Sequence, residues 1–386
     1  VLFWFAQYIF TPFLTPHLLM LGVSASFAGV IVGAYGFAQL LLRIPLSVGE
    51  DCLKSHRLFM AGGFLVLAFG GVLPVLSSSP YCYLLSRALA GAGAATWVSY
   101  TVFFTEGRSA VNERMGKLIT ANNLGILLSY LVGGWLYQPL GILPLFLISA
   151  GGAVLGMVLV LSLEKGSKPV RTPFQPGDFL EVLKNRHLWL CSLLATLSQL
   201  VAFATAMSFV TNYAQENGAD GFGLGLISMA FYGAGMLPSW MVGRGLCRRF
   251  SERGLIAFSF FLNMAYCLLL PFCHSAASLF AAQAVGGIGR SLLYTLLMAS
   301  APSDVPDRQK STAMGVFQSV YSIGMAAGPA LMGWILDSSG SYFAAFFAMA
   351  AILGMRSGWF KISAASTMNH ISSMVWPGFA CWPNKL

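Results

Sequence analysis

Residues 125–141 read GILLSYLVGGWLYQPLG, and residues 324–340 read GMAAGPALMGWILDSSG. Gly125, Gly134, Trp135 and Gly141 thus recur 199 positions later as Gly324, Gly333, Trp334 and Gly340. Working outward, Met115-Gly116 returns as Met314-Gly315 at the same offset, and Arg87-x3-Gly91-x-Gly93 returns as Gln283-x3-Gly287-x-Gly289 at an offset of 196. The slip of three residues falls in a polar loop. Offsets near half of the 386 residues make the chain a tandem duplication whose two copies fill most of the sequence.

The repeated unit belongs in lipid. Hydrophobic residues make up 57% of the chain and charged residues 9%, against roughly a quarter charged in a soluble domain. Apolar stretches of about 20 residues recur, each long enough to cross a hydrocarbon core as a helix. A large soluble helical core would instead need polar faces at helical period, which most of these stretches lack. Spans are expected at about 1–20, 27–46, 58–76, 82–104, 118–137 and 142–163, and then at 188–212, 222–243, 254–273, 277–300, 312–335 and 341–358. The domains that follow are a six-helix bundle over 1–163, a linker over 164–187, a second six-helix bundle over 188–358 and an atypical tail over 359–386. The linker holds Pro169, Pro173 and Pro176, and then Asp178-Phe-Leu-Glu181, a capping-box pattern that opens a short amphipathic turn.

Charge sets the orientation. The loops after the even-numbered spans, together with the tail, hold 19 of the 22 Lys and Arg. Arg43, Arg87 and Arg290 fall inside spans, so the opposite-side loops contain no basic residue. Basic residues gather on the cytoplasmic side, which makes the linker and tail cytoplasmic in a multi-pass protein of the cell membrane. An even number of spans per copy leaves the two copies the same way up, related by an axis along the membrane normal. The net charge of +9 is therefore a topology signal, and no nucleic-acid partner is expected. The seven cysteines include no C-x-x-C and the five histidines show no ligand spacing, so neither a metal nor another cofactor is expected. Val1 opens the chain without a basic flank, and the last apolar run meets Arg356 after 14 residues. Both ends read as incomplete or altered.

Two parallel six-span copies joined by a basic loop resemble the major facilitator superfamily. Local motifs add to the resemblance. Leu85-x-Arg87-x3-Gly91-x-Gly93 is similar to that family's R-x3-G-x-G segment in span 4, where the arginine is associated with proton or substrate handling. After span 2, Ser47 to Arg57 holds the place of the family's G-x-x-x-D-x-x-G-R-R loop, although only Asp51 and scattered basic residues such as Lys54 and Arg57 match. The resemblance implies that Asp51 faces the start of span 11 and latches the halves, with Arg57 part of the same gate. The exporters' span 5 pattern G-x-x-x-G-P-x-x-G-G is represented by Gly125-x3-Ser129-Tyr130-x2-Gly133-Gly134, with Gly-Pro replaced. Gly324-x3-Gly328-Pro329 in span 11 is closer to it. Small residues four apart let helix backbones approach closely, so Gly125, Gly134, Gly324, Gly328 and Pro329 are read first as packing positions.

In the family's arrangement spans 1, 4, 7 and 10 line the path. That makes Gln7, Thr11, Arg87, Trp97, Gln199, Thr205, Arg290 and Tyr294 the candidate cavity residues. Arg290 lies 14 residues from the outer end of its span, roughly 20 Å deep at 1.5 Å per residue, and no Asp or Glu falls inside any span. A guanidinium there costs a few kcal/mol on insertion scales unless it faces protein or water. Either carbonyls and water satisfy the arginines, or the missing counter-ion is an anionic group on the solute. The expected function is secondary active transport of a small organic solute by alternating access. Without a G-x4-G-K-[ST] loop for ATP phosphates, a gradient must drive it, and protons are the expected coupling ion. Intramembrane acids are lacking, which leaves His17, Glu106, Asp337 and Arg87 as groups to carry the proton. The alternative is a multidrug or metabolite exporter of the same superfamily. A receptor or scaffold would need a sizeable soluble domain, whereas the longest internal loop has 24 residues. An intramembrane enzyme would need a nucleophile, paired carboxylates or metal ligands within the spans. The functional unit is expected to be a monomer in the bilayer.

Overall fold

Apolar length and local capping decide where the helices run in the computed structural model, which describes residues 1–53, 55–105, 111–163, 176–306 and 309–354. Every regular element among them is a helix. The first apolar run forms α1 (Leu2–Tyr8) and α2 (Thr11–Met20), broken at Ile9 and Phe10. Then follow α3 (Ala25–Leu53) and α4 (His56–Leu76). The next run is again broken, into α5 (Pro80–Ala95) and α6 (Trp97–Thr105). Thr96 stands at the break and its hydroxyl donates to the Gly93 carbonyl at 2.8 Å. α7 (Val111–Leu140), α8 (Leu143–Ser162) and a short α9 (Pro176–Leu183) complete the first part.

The second part opens with α10 (Arg186–Ala204), a π-helical turn over Thr205–Phe209, and α11 (Val210–Glu216). A π turn leaves carbonyls without their usual partners. Here the Ser208 hydroxyl donates to the carbonyls of Phe203 and Ala204, at 2.6 and 2.8 Å. α12 (Gly221–Gly243), α13 (Leu246–Arg249), α14 (Glu252–Leu269), α15 (Ala276–Ser300), α16 (Lys310–Ser339) and α17 (Tyr342–Gly354) follow. Side-chain oxygens of Asn185, Asp220, Ser251 and Ser275 accept the N-terminal amides of α10, α12, α14 and α15.

Among the described residues eight helices are long and apolar enough to cross a membrane, fewer than the twelve spans expected. Two of the remaining four runs are the broken α1–α2 and α5–α6 pairs. The other two are α15, which contains Arg290, and the short α17. One continuous span over 1–20 and another over 82–104 were expected, and each is instead two helices end to end. α9 begins at Pro176, ahead of Asp178, so Asp178-x-x-Glu181 is not the cap of that helix. Glu181 instead accepts from the Gln309 amide at 2.5 Å, just before α16. The linker residues before Pro176, the tail over 359–386 and Glu106 lie outside the described residues.

Buried apolar side chains form two clusters stacked along the helices. One gathers Phe3, Phe64, Leu188, Leu293 and Phe317, and the other gathers Phe10, Tyr83, Phe146, Phe209 and Phe346. Trp135 and Trp334 of the repeated stretch are mostly exposed, as are Trp240 and Phe69, which suits side chains that face lipid rather than protein. Gly141 and Gly340 end α7 and α16 with φ of +73° and +64°, the left-handed cap that glycine adopts without strain.

α3 and α16 pack along their lengths, and the N-terminal end of α3 is tied to the C-terminal end of α16 by one carboxylate. Asp337 Oδ1 accepts the Ala25 N–H at 2.9 Å and Oδ2 accepts the Ser26 N–H at 2.7 Å. Asp337 thereby caps α3 from another helix, where the positive end of the dipole favours an anion. Asp337→Ala is expected to cost about 0.5–2 kcal/mol, the range for a lost N-cap, seen as a lower melting temperature in detergent. Asp337→Asn should recover part of it, because its amide oxygen still accepts one N–H. An Ala variant that melts with the wild type would show the cap to be idle.

Candidate functional site

Arg87, Arg290 and Arg43 meet a set of aromatic rings between the α1–α8 and α10–α17 segments. Arg87 projects from α5 and is 3% exposed. Its guanidinium lies 4.7 Å from the ring centre of Tyr35 on α3 and 5.8 Å from that of Phe10. Among the described residues it makes no hydrogen bond, and its Nε is buried without a partner. Gly91, one turn along α5, explains the close approach: a Cβ there would overlap the Tyr35 carbonyl.

Arg290 on α15 is only partly buried. It donates one hydrogen bond, to Gln199 Oε1 of α10 at 3.1 Å. Phe231, Tyr232 and Tyr294 each stand 5.8 Å from its guanidinium carbon. Each cation–π contact is worth about 0.5–2 kcal/mol, so the rings offset part of the desolvation cost without supplying an acceptor for the remaining N–H groups.

Between the two arginines Tyr8 of α1, Tyr130 of α7 and Tyr232 of α12 form a triangle. Ring centres are 6.0 Å apart for Tyr8–Tyr130, 5.7 Å for Tyr8–Tyr232 and 5.8 Å for Tyr130–Tyr232. Tyr130 is within Coulombic reach of both Arg87 and Arg290. Trp4 extends the cluster, with its ring centre 5.7 Å from Tyr8 and 5.1 Å from Trp97.

Arg43, deeper along α3, is 7% exposed and better satisfied. It donates to Gln39, to Gln318 and, at 3.1 Å, to the Tyr321 hydroxyl. The Tyr321 hydroxyl lies 3.4 Å from that of Tyr294, which links this group to the Arg290 cluster. Among the described residues Arg43's acceptors, Gln39, Gln318 and Tyr321, are all neutral.

The residues anticipated from sequence divide into two kinds. Gln199, Arg290 and Tyr294 come together, and Arg87 and Trp97 join the same ring cluster. Gln7 donates to the Ala90 carbonyl at 2.7 Å and so ties α1 to α5, with its Oε1 buried and unpartnered, while the Thr11 hydroxyl donates to the Gln7 carbonyl at 3.2 Å across the α1–α2 break. Thr205 donates to the Val201 carbonyl at 2.7 Å within its own helix. Arg57 donates to the carbonyls of Leu161 and Leu163, the latter at 2.9 Å, and so closes the C-terminal end of α8. The Asp51 side chain lies outside the described residues. The packing glycines sit at backbone crossings. A Cβ at Gly125 would overlap Val1, one at Gly134 would press on Gly221 and Gly225, and ones at Gly324 and Gly328 would overlap Thr196 and Leu200. The Pro329 carbonyl lies against Gly29. No group of three His, Cys, Asp or Glu able to hold a metal occurs among the described residues.

Sequence reasoning missed Tyr8, Tyr35, Tyr130, Tyr232, Tyr321 and Gln318, and it noted Arg43 without a role. One signal was available: Tyr35 and Phe231 are 196 residues apart, the offset of the Arg87 and Gln283 segments, and they lie against the equivalent glycines Gly91 and Gly287.

Two cavities, of about 330 and 320 Å³, lie away from the arginines. The first is lined by Met20, Gln138, Gln215 and Asp220, and the second by Val1, Phe64, Trp97 and Asn122.

Comparison with known proteins gives one answer. The Escherichia coli K12 inner membrane transport protein YajR is 23% identical over 355 residues, covering 88% of this chain and 76% of that protein. The multidrug resistance protein MdtG of Rahnella sp. is 24% identical over 373 residues, covering 90% and 87%. Among solved structures, a bacterial homologue of the human lysosomal transporter Spinster, inward-facing and unoccupied, superposes with a TM-score of 0.75 at 14% identity over 95% of each chain. The nucleoside transporter NupG gives a TM-score of 0.71 at 13% identity over 96% of this chain and 98% of its own. The sequence profile of the Major Facilitator Superfamily matches residues 1–277 and 194–364, and the chain belongs to that family of membrane transporters.

Proposed function

We propose that this protein is a secondary active transporter that moves a small organic solute bearing an anionic group, by alternating access around the Arg87–Arg290 cluster. The observation that carries the reading is a pair of arginines deep among apolar helices with no carboxylate partner among the described residues of the cluster. A buried, unpaired charge is costly, and a solute anion would relieve the cost while bound. The proposal includes twelve spans in two parallel six-helix copies. α1–α2, α5–α6 and α10–α11 each count as one interrupted span, and the 164–187 linker and the tail are cytoplasmic.

Equivalent contacts support the twofold arrangement. Gly125 lies against α1 and Gly324 against α10, Gly134 against α12 and Gly333 against α3, and Gly91 against Tyr35 as Gly287 is against Phe231. Each pair exchanges one copy's helices for the other's. The Asp337 cap and the packing of α2 on α11 hold the outer ends together, while α6 packs mainly on α3, α4, α5 and α7. That is the pattern of a carrier closed outside. In this reading, rocking of the halves releases the outer contacts and exposes the arginines to the other side.

A proton gradient is the proposed energy source. His17 hydrogen-bonds Tyr83 at 2.9 Å and is the better candidate to take the proton from the outer side, because both Asp337 oxygens already accept α3 amides, which favours the ionised carboxylate. The exporter reading is favoured by one observation, the ring-rich cluster, together with the likeness to a multidrug resistance protein. The two separate in proteoliposomes loaded with labelled carboxylates, amines and neutral sugars under an imposed pH gradient. Carboxylate flux that follows the gradient is expected, inward with the protons for uptake and against them for export. Flux of amines or sugars alone, or flux indifferent to the gradient, would count against the anionic and proton-coupled readings respectively.

A further inference from the structure

We infer that the cavity of about 330 Å³ at the seam of the two copies is a binding site for a small organic molecule that carries a primary ammonium group. An occupant there holds the seam closed and slows the carrier. The binding part of the inference is independent of the solute, whereas the braking part rests on the proposed alternating access.

Both copies build the site. Met20, Tyr137 and Gln138 come from the first, at the last turns of α2 and α7, and Gln215, Asp220 and Leu224 from the second, at the last turn of α11 and the start of α12. Three helices therefore end at the cavity with their carbonyl termini, each equivalent to a partial negative charge. The one N-terminus, that of α12, already has a carboxylate against it. Asp220 Oδ1 accepts the Gly223 N–H at 2.7 Å, while Oδ2 makes no hydrogen bond among the described residues. This end of the bundle, opposite the basic loops, has no Lys or Arg and carries Glu216, Asp220 and Asp337. The field at the cavity thus favours a cation.

The unmet groups are acceptors. Gln215 Oε1 is buried without a hydrogen-bond partner among the described residues, and the amide nitrogen of the same side chain lies 3.5 Å from Met20 Sδ, across the seam. A buried acceptor left unpaired costs free energy, and an ammonium N–H supplies the missing donor. Asp220 supplies the counter-charge. The Tyr137 ring, stacked on Phe13 with centres 4.4 Å apart, lines the same cavity beside Met20 and Leu224, which gives the carbon part of the ligand an apolar wall. A carboxylate would meet Asp220 and the carbonyl ends of the helices, so the solute proposed for the arginines does not compete here. An ammonium that touches residues of both copies binds only while they are together, and so favours the closed seam.

The test uses the full chain in phosphatidylcholine nanodiscs with three probes: benzylammonium, its neutral analogue benzyl alcohol, and benzyltrimethylammonium, which has the charge without N–H donors. Calorimetry is expected to show benzylammonium bound about tenfold tighter than either, the effect of one hydrogen bond to a charged group. Asp220→Asn should erase the preference over the alcohol and still fold, because asparagine caps a helix as well as aspartate does. Gln215→Leu should weaken benzylammonium about threefold and leave the alcohol unchanged. Melting curves establish that each variant is folded. Nanodiscs that contain phosphatidylethanolamine separate the two sources of the group: weaker benzylammonium binding there assigns the cavity to the lipid's own ammonium, and unchanged binding assigns it to a soluble amine. Equal binding of the alcohol by wild type, a preference that persists in Asp220→Asn, or no binding of benzylammonium overturns the site. In proteoliposomes, benzylammonium should slow labelled carboxylate flux about threefold for wild type, as expected from occupancy of one state, and leave Asp220→Asn unaffected. Binding without slowing overturns the brake alone, and absence of any carboxylate flux fails the transport reading and the brake with it.

Discussion

Gly287→Val is expected to abolish the folded protein, read as loss of the monodisperse peak in detergent chromatography, while Gly315→Ala is expected to elute as wild type. The difference follows from what a Cβ would meet. At Gly287 it would overlap the carbonyl oxygen of Phe231 and press on that residue's carbonyl carbon and Cα, all backbone of α12. At Gly315 nothing lies within 4 Å. Overpacking a core with extra methylenes typically costs about 1–3 kcal/mol because side chains rotate aside. A backbone carbonyl cannot do so, so α12 and α15 would have to separate along their contact. Lipid supplies no hydrophobic drive to reunite them, since close packing itself holds helices together in a bilayer. Gly91 meets the Tyr35 backbone in the same way, so Gly91→Val should fail as Gly287→Val does. Normal yield from the Gly287 variant would mean that the α12–α15 crossing is looser than the structure has it.

Much of this crossing was legible in the chain. Gly91 and Gly287 stand at one offset, and the Gly134 and Gly333 pair at another, because both copies need the same close approaches and only glycine permits them. The end of the repeat was equally legible: Gly141 and Gly340 are left-handed caps in both copies. The breaks at Ile9–Phe10, Thr96 and Thr205–Phe209 were not. Hydropathy counts apolar residues and is indifferent to whether a helix is continuous, and the hydroxyls that satisfy the opened turns, those of Thr96 and Ser208, look like any other polar residue in a span. The site was legible where it carries charge, since an arginine in an apolar run has few bland explanations. The tyrosines that surround it were hidden, because an aromatic residue in a span suits lipid, core and cavity equally well. Thr205 shows the converse: a hydroxyl on a span expected to line the path donates to a carbonyl of its own helical run, that of Val201.

Arg290→Gln is expected to lower transport of an anionic solute by about ten- to a hundredfold in proteoliposome flux, with the protein still folded. A hydrogen bond to a charged group is worth about 1.5–3 kcal/mol, and each 1.4 kcal/mol is a factor of ten. Glutamine keeps a polar amide but ends two bonds short of the guanidinium nitrogen that reaches Gln199, so the charge and that hydrogen bond are lost together. Folding should tolerate the change, because among the described residues Arg290 makes one hydrogen bond, with Gln199, and otherwise lies near the rings of Phe231, Tyr232 and Tyr294. Arg290→Lys provides the complementary case. A lysine keeps the charge and its attraction to the rings but loses the fork that holds an anion at two points, so its flux should lie between those of wild type and the glutamine variant. Arg43 would make a poor substitute for this test, since it already donates to Gln39, Gln318 and Tyr321 and its removal would disturb the α3–α16 contact itself. If Arg290→Gln carries anionic solutes at the wild-type rate, carbonyls, water and rings are enough to hold the charge, and the arginine belongs to the scaffold of the cluster rather than to solute recognition.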